Sequence, residues 1–534
     1  MDFTSLAFVA FAAAVLLLYY LVPKKGQWIV LLLGGFVFYA LAGAWYLLFI
    51  LATIATTFLG ALWMANHAGK EKAYIDAHRE EMTKEDRKQY KNRGKKKRFS
   101  MLVAVLVLNF GILAVLKYTG FAFDTVNGVI RLFSGNANTL SAPSLLLPLG
   151  ISYYTFRSVG YLIDVYRGTA DAQRNVFKYA LFVSFFPSLV QGPISRYKDL
   201  APQLFVPHKA EWSNLSAGFI RVLWGFFKKL VVANTAMIGV KAIIANPDEL
   251  NGMYSLLLIV LYSAVIYGDF TGGIDVTIGL SRMMGLTLAE NFDRPFSSHS
   301  TQEYWNRWHI TMGSWFTDYV FYPLSVCRPM QKFTKWSKAH LGRAVGMRMP
   351  VYLATLVTWY LTGLWHGASW NFIVWGLLNG LVILVSRELS PLYEKFHAKF
   401  PRLNGENKWY GGFCAVRTFF LMGAIRSLDC YRDVPVTFKA FGSMFYRLST
   451  WQDLTSGQVL TRLGLGLPQI AVILLGTVVI FFVSRAGRET RVADRLIEKP
   501  ILWSGCCAAL IVAIAIFGSY GLGFDAGAFI YGQV

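Results

Sequence analysis

Apolar runs recur along the whole chain, with short polar segments between them. Twelve of them are candidate membrane helices, at residues 5–22, 28–44, 46–64, 101–117, 179–190, 217–237, 254–266, 351–365, 372–385, 413–425, 470–483 and 501–517. A membrane helix needs about 20 apolar residues, and several runs are shorter than this. The pattern predicts an all-α, polytopic integral membrane helical bundle over residues 1–534, with some short, tilted or re-entrant helices.

The composition agrees with a membrane protein. Hydrophobic residues make up 55% of the chain and charged residues 15%, whereas soluble domains carry roughly 25% charge. The net charge is +22, but the charges cluster between apolar runs. This distribution argues against nucleic-acid binding and is typical of cytoplasmic loops in a multi-pass protein of the bacterial inner membrane.

The basic segments predict the orientation of the chain in the membrane. Residues 66–100 hold 12 Lys/Arg against 6 Asp/Glu, which predicts a basic cytoplasmic loop. Three helices precede this loop, so the N-terminus is expected outside the cytoplasm. Further basic segments at 328–348, 395–408 and 484–499 are expected to be cytoplasmic. Residues 426–466 and the C-terminus are then extracytoplasmic, and 426–466 is a candidate contact surface for an external partner.

Two of the eight histidines, His309 and His366, lie among apolar residues. His366 follows Arg348 by 18 residues and His309 precedes Arg328 by 19. If both connections are helical, both imidazoles lie about 27–28 Å from one cytoplasmic loop and at similar membrane depth. An ionisable group at this depth indicates function, although a histidine hydrogen-bonded inside the bundle would give the same pattern. A metal site would need further ligands, and we predict none.

His366 is suited to act as a general base. A neutral imidazole can take a proton from a hydroxyl that attacks a thioester and can return it later. Burial in apolar surroundings favours the neutral form. Gly363 and Gly367 allow a close approach of backbone or substrate. Trp365 and Trp370 would wall a narrow channel, although membrane-interface anchors would look the same.

Three further residues are candidate substrate contacts. Asp269 closely follows an apolar run and would orient a histidine, pair with Arg307 or cap a helix. Gln191 precedes Gly-Pro, which indicates a turn or a broken helix. Gln191 would therefore contact substrate or satisfy backbone groups at the break.

Seven short motifs occur in order along most of the chain. They are PLGISYYTF at 148–156, YLIDVYRG at 161–168, QGPISRY at 191–197, DFTGGID at 269–275, ENF at 290–292, YWNRWHI at 304–310 and GLWHGASW at 363–370. This set resembles the membrane-bound O-acyltransferase (MBOAT) family, in particular its bacterial alginate O-acetyltransferase-like branch. The resemblance implies a catalytic His366, with His309 as the second functional position. Asn306 and Trp365 join Asp269, Arg307 and Gln191 as candidate substrate-binding residues.

The resemblance also implies a reaction. An acyl group from a cytosolic thioester, with acetyl-CoA as the expected donor, would meet an acceptor hydroxyl near His366, and no tightly bound cofactor is needed. The acceptor side would involve an extracytoplasmic partner of the SGNH-hydrolase type, which acetylates a polysaccharide. The alternatives are D-alanyl transfer to teichoic acid within the family, or a glycan-precursor transporter in which the histidines relay protons.

The chain departs from the family pattern in three places. Thr317 stands where relatives often have Arg, and Arg157 stands where Gln is common. The tail at 529–534 only partly resembles the aromatic tail of relatives. These differences bear on the acceptor or partner more than on the chemistry.

Overall fold

The computed structural model describes residues 5–134, 140–404, 407–487 and 492–519. Within these ranges the regular structure is helical, apart from one isolated antiparallel bridge between Phe292 and Trp308. The predicted all-α fold is therefore confirmed. By its internal contacts the chain forms two compact units, residues 1–211 with 281–288 and residues 212–280 with 289–534. A single domain over residues 1–534 stays a prediction.

Unit 1 contains seven helices that lie wholly within it. They are α1 (Leu6–Leu21), α2 (Gln27–Ala42), α3 (Tyr46–Ala77), α4 (Lys84–Ser134), α5 (Ile151–Arg167), α6 (Val176–Ser184) and α7 (Tyr197–Leu204). α3 packs against both α4 and α5, and α2 packs against α6. α5 lies inside the unit, since thirteen of its seventeen residues are buried.

Arg157 on α5 ties this helix to the turn that follows α6. Its buried guanidinium donates to the carbonyl oxygens of Phe182 and Ser188, at 3.0 and 2.6 Å, and to the Ser188 hydroxyl at 2.7 Å. It also lies over the Phe182 ring. The residue that departs from the family pattern therefore has a structural role within unit 1.

Unit 2 contains the other helices, of which α10 extends a few residues into unit 1. They are α8 (Trp212–Phe226), α9 (Asn234–Ala245), α10 (Met253–Met283), α11 (Thr301–Arg307), α12 (Ile310–Phe316), α13 (Tyr322–Val326), α14 (Arg328–His366), α15 (Trp370–Glu388), α16 (Ser390–Lys399), α17 (Lys408–Tyr431), α18 (Val434–Ser443), α19 (Gln452–Ser456), α20 (Gln458–Leu463), α21 (Leu467–Ala486), α22 (Val492–Ile497) and α23 (Pro500–Phe517). Two π-helical turns join α8 to α9 and α12 to α13, at Phe227–Ala233 and Thr317–Phe321.

α8 and α10 approach each other through glycines. A Cβ on Gly225 would lie 2.5 Å from the Gly272 carbonyl oxygen, and one on Gly272 would lie 2.7 Å from the Gly225 carbonyl oxygen. Gly279 faces the Gly218 carbonyl in the same way, at 2.7 Å. Small residues allow such backbone contact between membrane helices. This packing explains why α10 continues through the polar DFTGGID motif, where the apolar run predicted a helix ending at residue 266.

Seven helical segments among the described residues are long and apolar enough to cross a membrane, and they belong to α2, α3, α4, α10, α15, α21 and α23. Together with the family resemblance this supports a multi-pass membrane protein. The other five predicted spans fall on helices that are shorter, interrupted or more polar. α1 has 16 residues, for example, and a π-helical turn interrupts the run 217–237.

Two segments differ from their predicted form. Residues 66–100 are not one loop, because α3 continues to Ala77 and α4 begins at Lys84. The predicted external segment 426–466 begins inside α17 and then forms three short α-helices, α18 to α20. Within unit 2 it covers the start of α10, since the Ser443 and Thr450 hydroxyls accept from backbone N–H groups of residues 252 and 253.

The assignment of each loop to one side of the membrane stays a prediction, as do the positions of both termini. Residues 520–534 lie outside the described residues.

Candidate active site

His366 is the last residue of α14 and is almost completely buried. Its imidazole contacts the rings of Trp375 and Trp365, with centroid distances of 4.5 and 4.9 Å, and stacks on Phe372 at 6.3 Å. The helix ends there because residues 367–369 are extended or turned before α15 begins at Trp370. The end of one helix thus places the imidazole inside an aromatic enclosure.

Glycines hold α14 and α15 together beside this histidine. A Cβ on Gly363 would collide with the Phe372 carbonyl oxygen, and one on Gly376 would lie 3.0 Å from the Gly363 Cα. A Cβ on Gly367 would collide with the Phe372 ring. The predicted close approach of backbone is confirmed at Gly363, where it serves the packing of these two helices, whereas Gly367 makes room for the Phe372 side chain.

His309 contacts the same tryptophan, Trp365, that contacts His366. The ring centroids of His309 and Trp365 are 5.9 Å apart, and those of Trp365 and His366 are 4.9 Å apart. The two imidazoles are therefore within about 11 Å of each other. The structure brings together the two histidines singled out in the sequence, and Trp365 contacts both of them. Trp370 is half exposed, which fits the anchor alternative.

The backbone of His309 adopts an unusual conformation. Its φ and ψ are 48° and 52°, in the left-handed region that few non-glycine residues occupy. The residue is fully buried and precedes the first residue of α12. Phe270 of α10 packs edge-on against its ring at 4.8 Å. Strained backbone of this kind is concentrated at functional sites, where the surrounding structure enforces it.

Asn291 is a contact of His309 that sequence reasoning missed. Its side-chain amide lies 3.1 Å from His309 Nδ1, and its Oδ1 accepts from the Thr311 N–H and hydroxyl at 3.0 and 2.9 Å. Asn291 is itself fully buried. The only sequence signal was its place in the ENF motif, because a single Asn in a short connection has no periodicity.

A small cavity beside His366 reveals two further charged residues. Its free volume is about 10 Å³, enough for about one water molecule, and Arg426 and Asp429 of α17 line it together with His366. The Arg426 guanidinium lies over the Trp308 ring at 4.7 Å and donates to the Tyr304 hydroxyl. Sequence reasoning missed both residues because it placed 426–466 outside the bundle.

The buried carboxylates of α10 form ion pairs with the π-helical turn after α8. Lys229 pairs with Asp269, and Lys228 pairs with Asp275 at 2.5 Å. Asp275 also pairs with Arg221 at 2.9 Å. Neighbouring residues of an α-helix point about 100° apart, and the wider π turn allows both lysines to face α10.

Of the three alternatives for Asp269, the pairing with Arg307 is wrong, because Asp269 pairs with Lys229. Arg307 pairs with Glu303, one helical turn earlier on α11, at 2.6 Å. Asn306 is exposed on the same helix. Gln191 is buried within unit 1, in the turn that follows residues 186–188. The substrate-binding roles of these residues stay predictions.

A larger cavity of about 550 Å³ lies between α10, α21 and the segment 294–307. Apolar side chains of α10 and α21 form most of its wall. Its polar lining residues include Arg294, Arg307 and Arg485, together with Glu303, the partner of Arg307. Among the residues that the structure describes, no cluster of three or more His, Cys, Asp or Glu side chains is placed to hold a metal ion.

The chain is similar to proteins of one known family. Residues 170–422 match the model of the family described as MBOAT, membrane-bound O-acyltransferase family. The chain is 31% identical to the "Probable alginate O-acetylase AlgI" of Azotobacter vinelandii, over 87% of this chain and 80% of that protein. It is 28% identical to the "Peptidoglycan O-acetyltransferase" of Helicobacter pylori, over 57% and 58%. It is also 30% identical to the "Teichoic acid D-alanyltransferase" of Bacillus subtilis, over 52% and 67%.

The matched region contains both histidines, Asn291 and the α8–α10 ion pairs. The match to the alginate O-acetylase covers most of both chains, so the resemblance read from the ordered motifs is confirmed. The chain belongs to the membrane-bound O-acyltransferase family, in its alginate O-acetylase-like branch, and is an O-acyltransferase.

Proposed function

We propose that this enzyme takes an acetyl group from a cytosolic thioester, acetyl-CoA, and delivers it across the membrane for O-acetylation of an extracytoplasmic polysaccharide. The observation that carries the proposal is the aromatic enclosure of His366 beside a second buried histidine. The alginate O-acetylases that the chain resembles over most of its length support acetyl as the acyl group and a polysaccharide as the final acceptor.

The reaction follows from the position of His366. A neutral imidazole accepts the proton of the acceptor hydroxyl while the hydroxyl oxygen attacks the thioester carbonyl carbon. The tetrahedral intermediate then collapses, the C–S bond breaks, and the imidazolium returns its proton to the leaving thiolate. The surrounding rings of Trp365, Phe372 and Trp375 exclude bulk water, which would otherwise hydrolyse the thioester.

Arg426 supports the same chemistry. It is a buried cation on the cavity that His366 lines, and a negative charge develops on the carbonyl oxygen during acyl transfer. A positive group that is fixed before the reaction stabilises such a charge without reorganisation. Asp429 accepts a hydrogen bond from the Tyr262 hydroxyl at 2.8 Å, which holds it in place beside the cavity.

The larger cavity is suited to approach of the donor. Arg485, one of its three arginines, lies in the last turn of α21, within the segment 484–499 that is expected to be cytoplasmic. Coenzyme A carries several phosphate charges, which guanidinium groups bind well. An SGNH-type acetyltransferase is the expected partner on the opposite side, where 426–466 offers a surface.

The decisive experiment compares His366→Ala with His340→Ala, an exposed histidine in the first part of α14, before the helix is broken at Gly342. Polymer-bound acetyl ester and exported polymer are measured in cells, with the amount of each variant in the membrane checked by immunoblot. An acyltransferase that uses His366 loses ester while polymer export continues, and His340→Ala keeps both. Normal ester in His366→Ala would exclude this mechanism, and loss of the polymer itself would indicate a transporter.

D-alanyl transfer to teichoic acid is the second candidate, favoured by the match to the teichoic acid D-alanyltransferase. That match covers about half of this chain, whereas the alginate O-acetylase match covers most of it. Chemical analysis of the ester released by mild base separates acetate from D-alanine.

A further inference from the structure

The segment that contains Asn291 is held firmly against the segment that contains His309. The Ile310 N–H donates to the Asn291 carbonyl at 3.0 Å, and the Asp293 N–H donates to the Arg307 carbonyl at 3.0 Å. Between these bonds lies the antiparallel bridge of Phe292 and Trp308. The side chain of Asn291 is thereby brought against the imidazole of His309 with little freedom to move.

The contacts with Thr311 fix the orientation of the Asn291 amide. The backbone N–H of Thr311 can only donate, so the atom it contacts at 3.0 Å must be the amide oxygen. The Thr311 hydroxyl lies 2.9 Å from the same oxygen. The amide NH₂ group is then the group that faces His309 Nδ1, at 3.1 Å.

This orientation decides which nitrogen of His309 carries the proton. An amide NH₂ group only donates, so Nδ1 must accept and is unprotonated. A neutral imidazole has one N–H, which is then on Nε2. The amide oxygen is also 3.3 Å from Nδ1, but it already accepts from Thr311 and is the more distant of the two atoms.

We propose that Asn291 is a positioning residue that fixes neutral His309 in the Nε2–H tautomer, so that His309 serves as a hydrogen-bond donor while His366 serves as the base. This role rests on the proposed acyl transfer. The Nε2–H group would donate to the thioester carbonyl oxygen as it becomes the oxyanion, and its proton stays on Nε2 throughout. Two histidines close together are thus assigned different tasks by their neighbours.

The rest of the environment agrees with a fixed donor. Phe270 contacts the His309 ring at 4.8 Å and Trp365 contacts it at 5.9 Å, so two aromatic side chains restrict the space in which the ring can rotate. The backbone of His309 is held in its left-handed conformation by the same segment that contains Asn291. A hydrogen-bond donor stabilises an oxyanion most when its position is fixed before the reaction.

The test reads the tautomer directly. Protein labelled with ¹⁵N-histidine is placed in lipid bilayers, and solid-state NMR records whether each ring nitrogen carries hydrogen. His309→Gln identifies the His309 signals among the eight histidines. In the wild-type protein we expect His309 Nε2 to be protonated and Nδ1 to be unprotonated. A proton on Nδ1 in the wild-type protein overturns the inference.

A matched pair of variants tests the role of Asn291. In Asn291→Asp the ionised carboxylate only accepts, so the proton of neutral His309 moves from Nε2 to Nδ1, and acetyl transfer falls about 10²-fold, the typical loss of one oxyanion donor. Asn379→Asp changes another buried Asn, which bonds to Trp305 and Trp375, and it leaves the His309 signals unchanged. Unaltered His309 signals in Asn291→Asp would contradict the inference.

The two proposals fail in different ways. If Asn291→Asp transfers acetyl at the wild-type rate although the His309 tautomer has changed, the donor role of His309 is excluded. Normal transfer by His366→Ala would exclude the mechanism of acyl transfer, and it would leave the NMR result for His309 unaffected.

Discussion

The ion pair of Lys229 and Asp269 allows a quantitative test, because both side chains are nearly inaccessible, at 6% and 2% exposure. Replacing Asp269 by Leu leaves the Lys229 ammonium in the bundle without its carboxylate. Removing one partner of a buried pair costs about 3–5 kcal/mol. A large domain loses about 2 °C of Tm per kcal/mol, so we expect a Tm that is lower by about 6–10 °C.

The double variant Asp269→Leu/Lys229→Met should recover most of this loss, because apolar side chains of similar size often replace a buried ion pair without cost. The matched control is the exposed pair of Asp248 and Lys439, whose side chains are 79% and 63% exposed. There, Asp248→Leu should not change the Tm measurably, since exposed ion pairs contribute little.

The assay combines thermal unfolding, followed by tryptophan fluorescence in detergent, with acetyl transfer by the same samples. Because Asp269 is bound to Lys229, we expect transfer to return in the double variant along with stability. A stable but inactive double variant would show that the Asp269 carboxylate contacts substrate. A single variant as stable as the wild type would refute the reasoning from burial and charge.

Three further changes have defined outcomes. Gly376→Ala makes a Cβ collide with the Trp359 carbonyl oxygen and places it 3.0 Å from the Gly363 Cα, which should cost about 1–3 kcal/mol of stability, measured as a lower Tm. Arg157→Gln removes bonds to Phe182 and Ser188 within unit 1 and should cost about 3 kcal/mol, again measured as Tm. Arg485→Gln at the larger cavity should raise the KM for acetyl-CoA about fivefold with kcat unchanged, as expected for one partly exposed charge.

Each of these changes has a control on the same chain. Gly412 on α17 has open space where a Cβ would lie, and its replacement by Ala should leave the Tm unchanged or slightly raised. Arg174→Gln and Arg402→Gln remove exposed charges that belong neither to the α5 contacts nor to the larger cavity. A loss in any control equal to that of its test variant would contradict the structural explanation.

Lipid-facing helices could be predicted from sequence because their environment acts on each residue separately. α21 and α23 are mostly exposed on the surface of the protein and apolar along their length, and their predicted runs differ from the observed helices by a few residues at most. α5 and α10 are surrounded by protein, so their polar residues can be paired inside the unit. The twelve predicted runs therefore leave out α5 and end α10 at residue 266, although the helix continues to Met283.

The residues of the candidate site also divide into those that the sequence revealed and those that only the structure revealed. His366 and His309 could be recognised from the sequence because an ionisable residue in an apolar run is costly and needs a reason. Asn291 and Arg426 could not, since a single polar residue in a short connection or near a helix end has many ordinary uses. Their importance comes from distances to residues far along the chain. Residue type and local pattern fix which groups have the chemistry for a site, whereas only packing in three dimensions decides which of them meet.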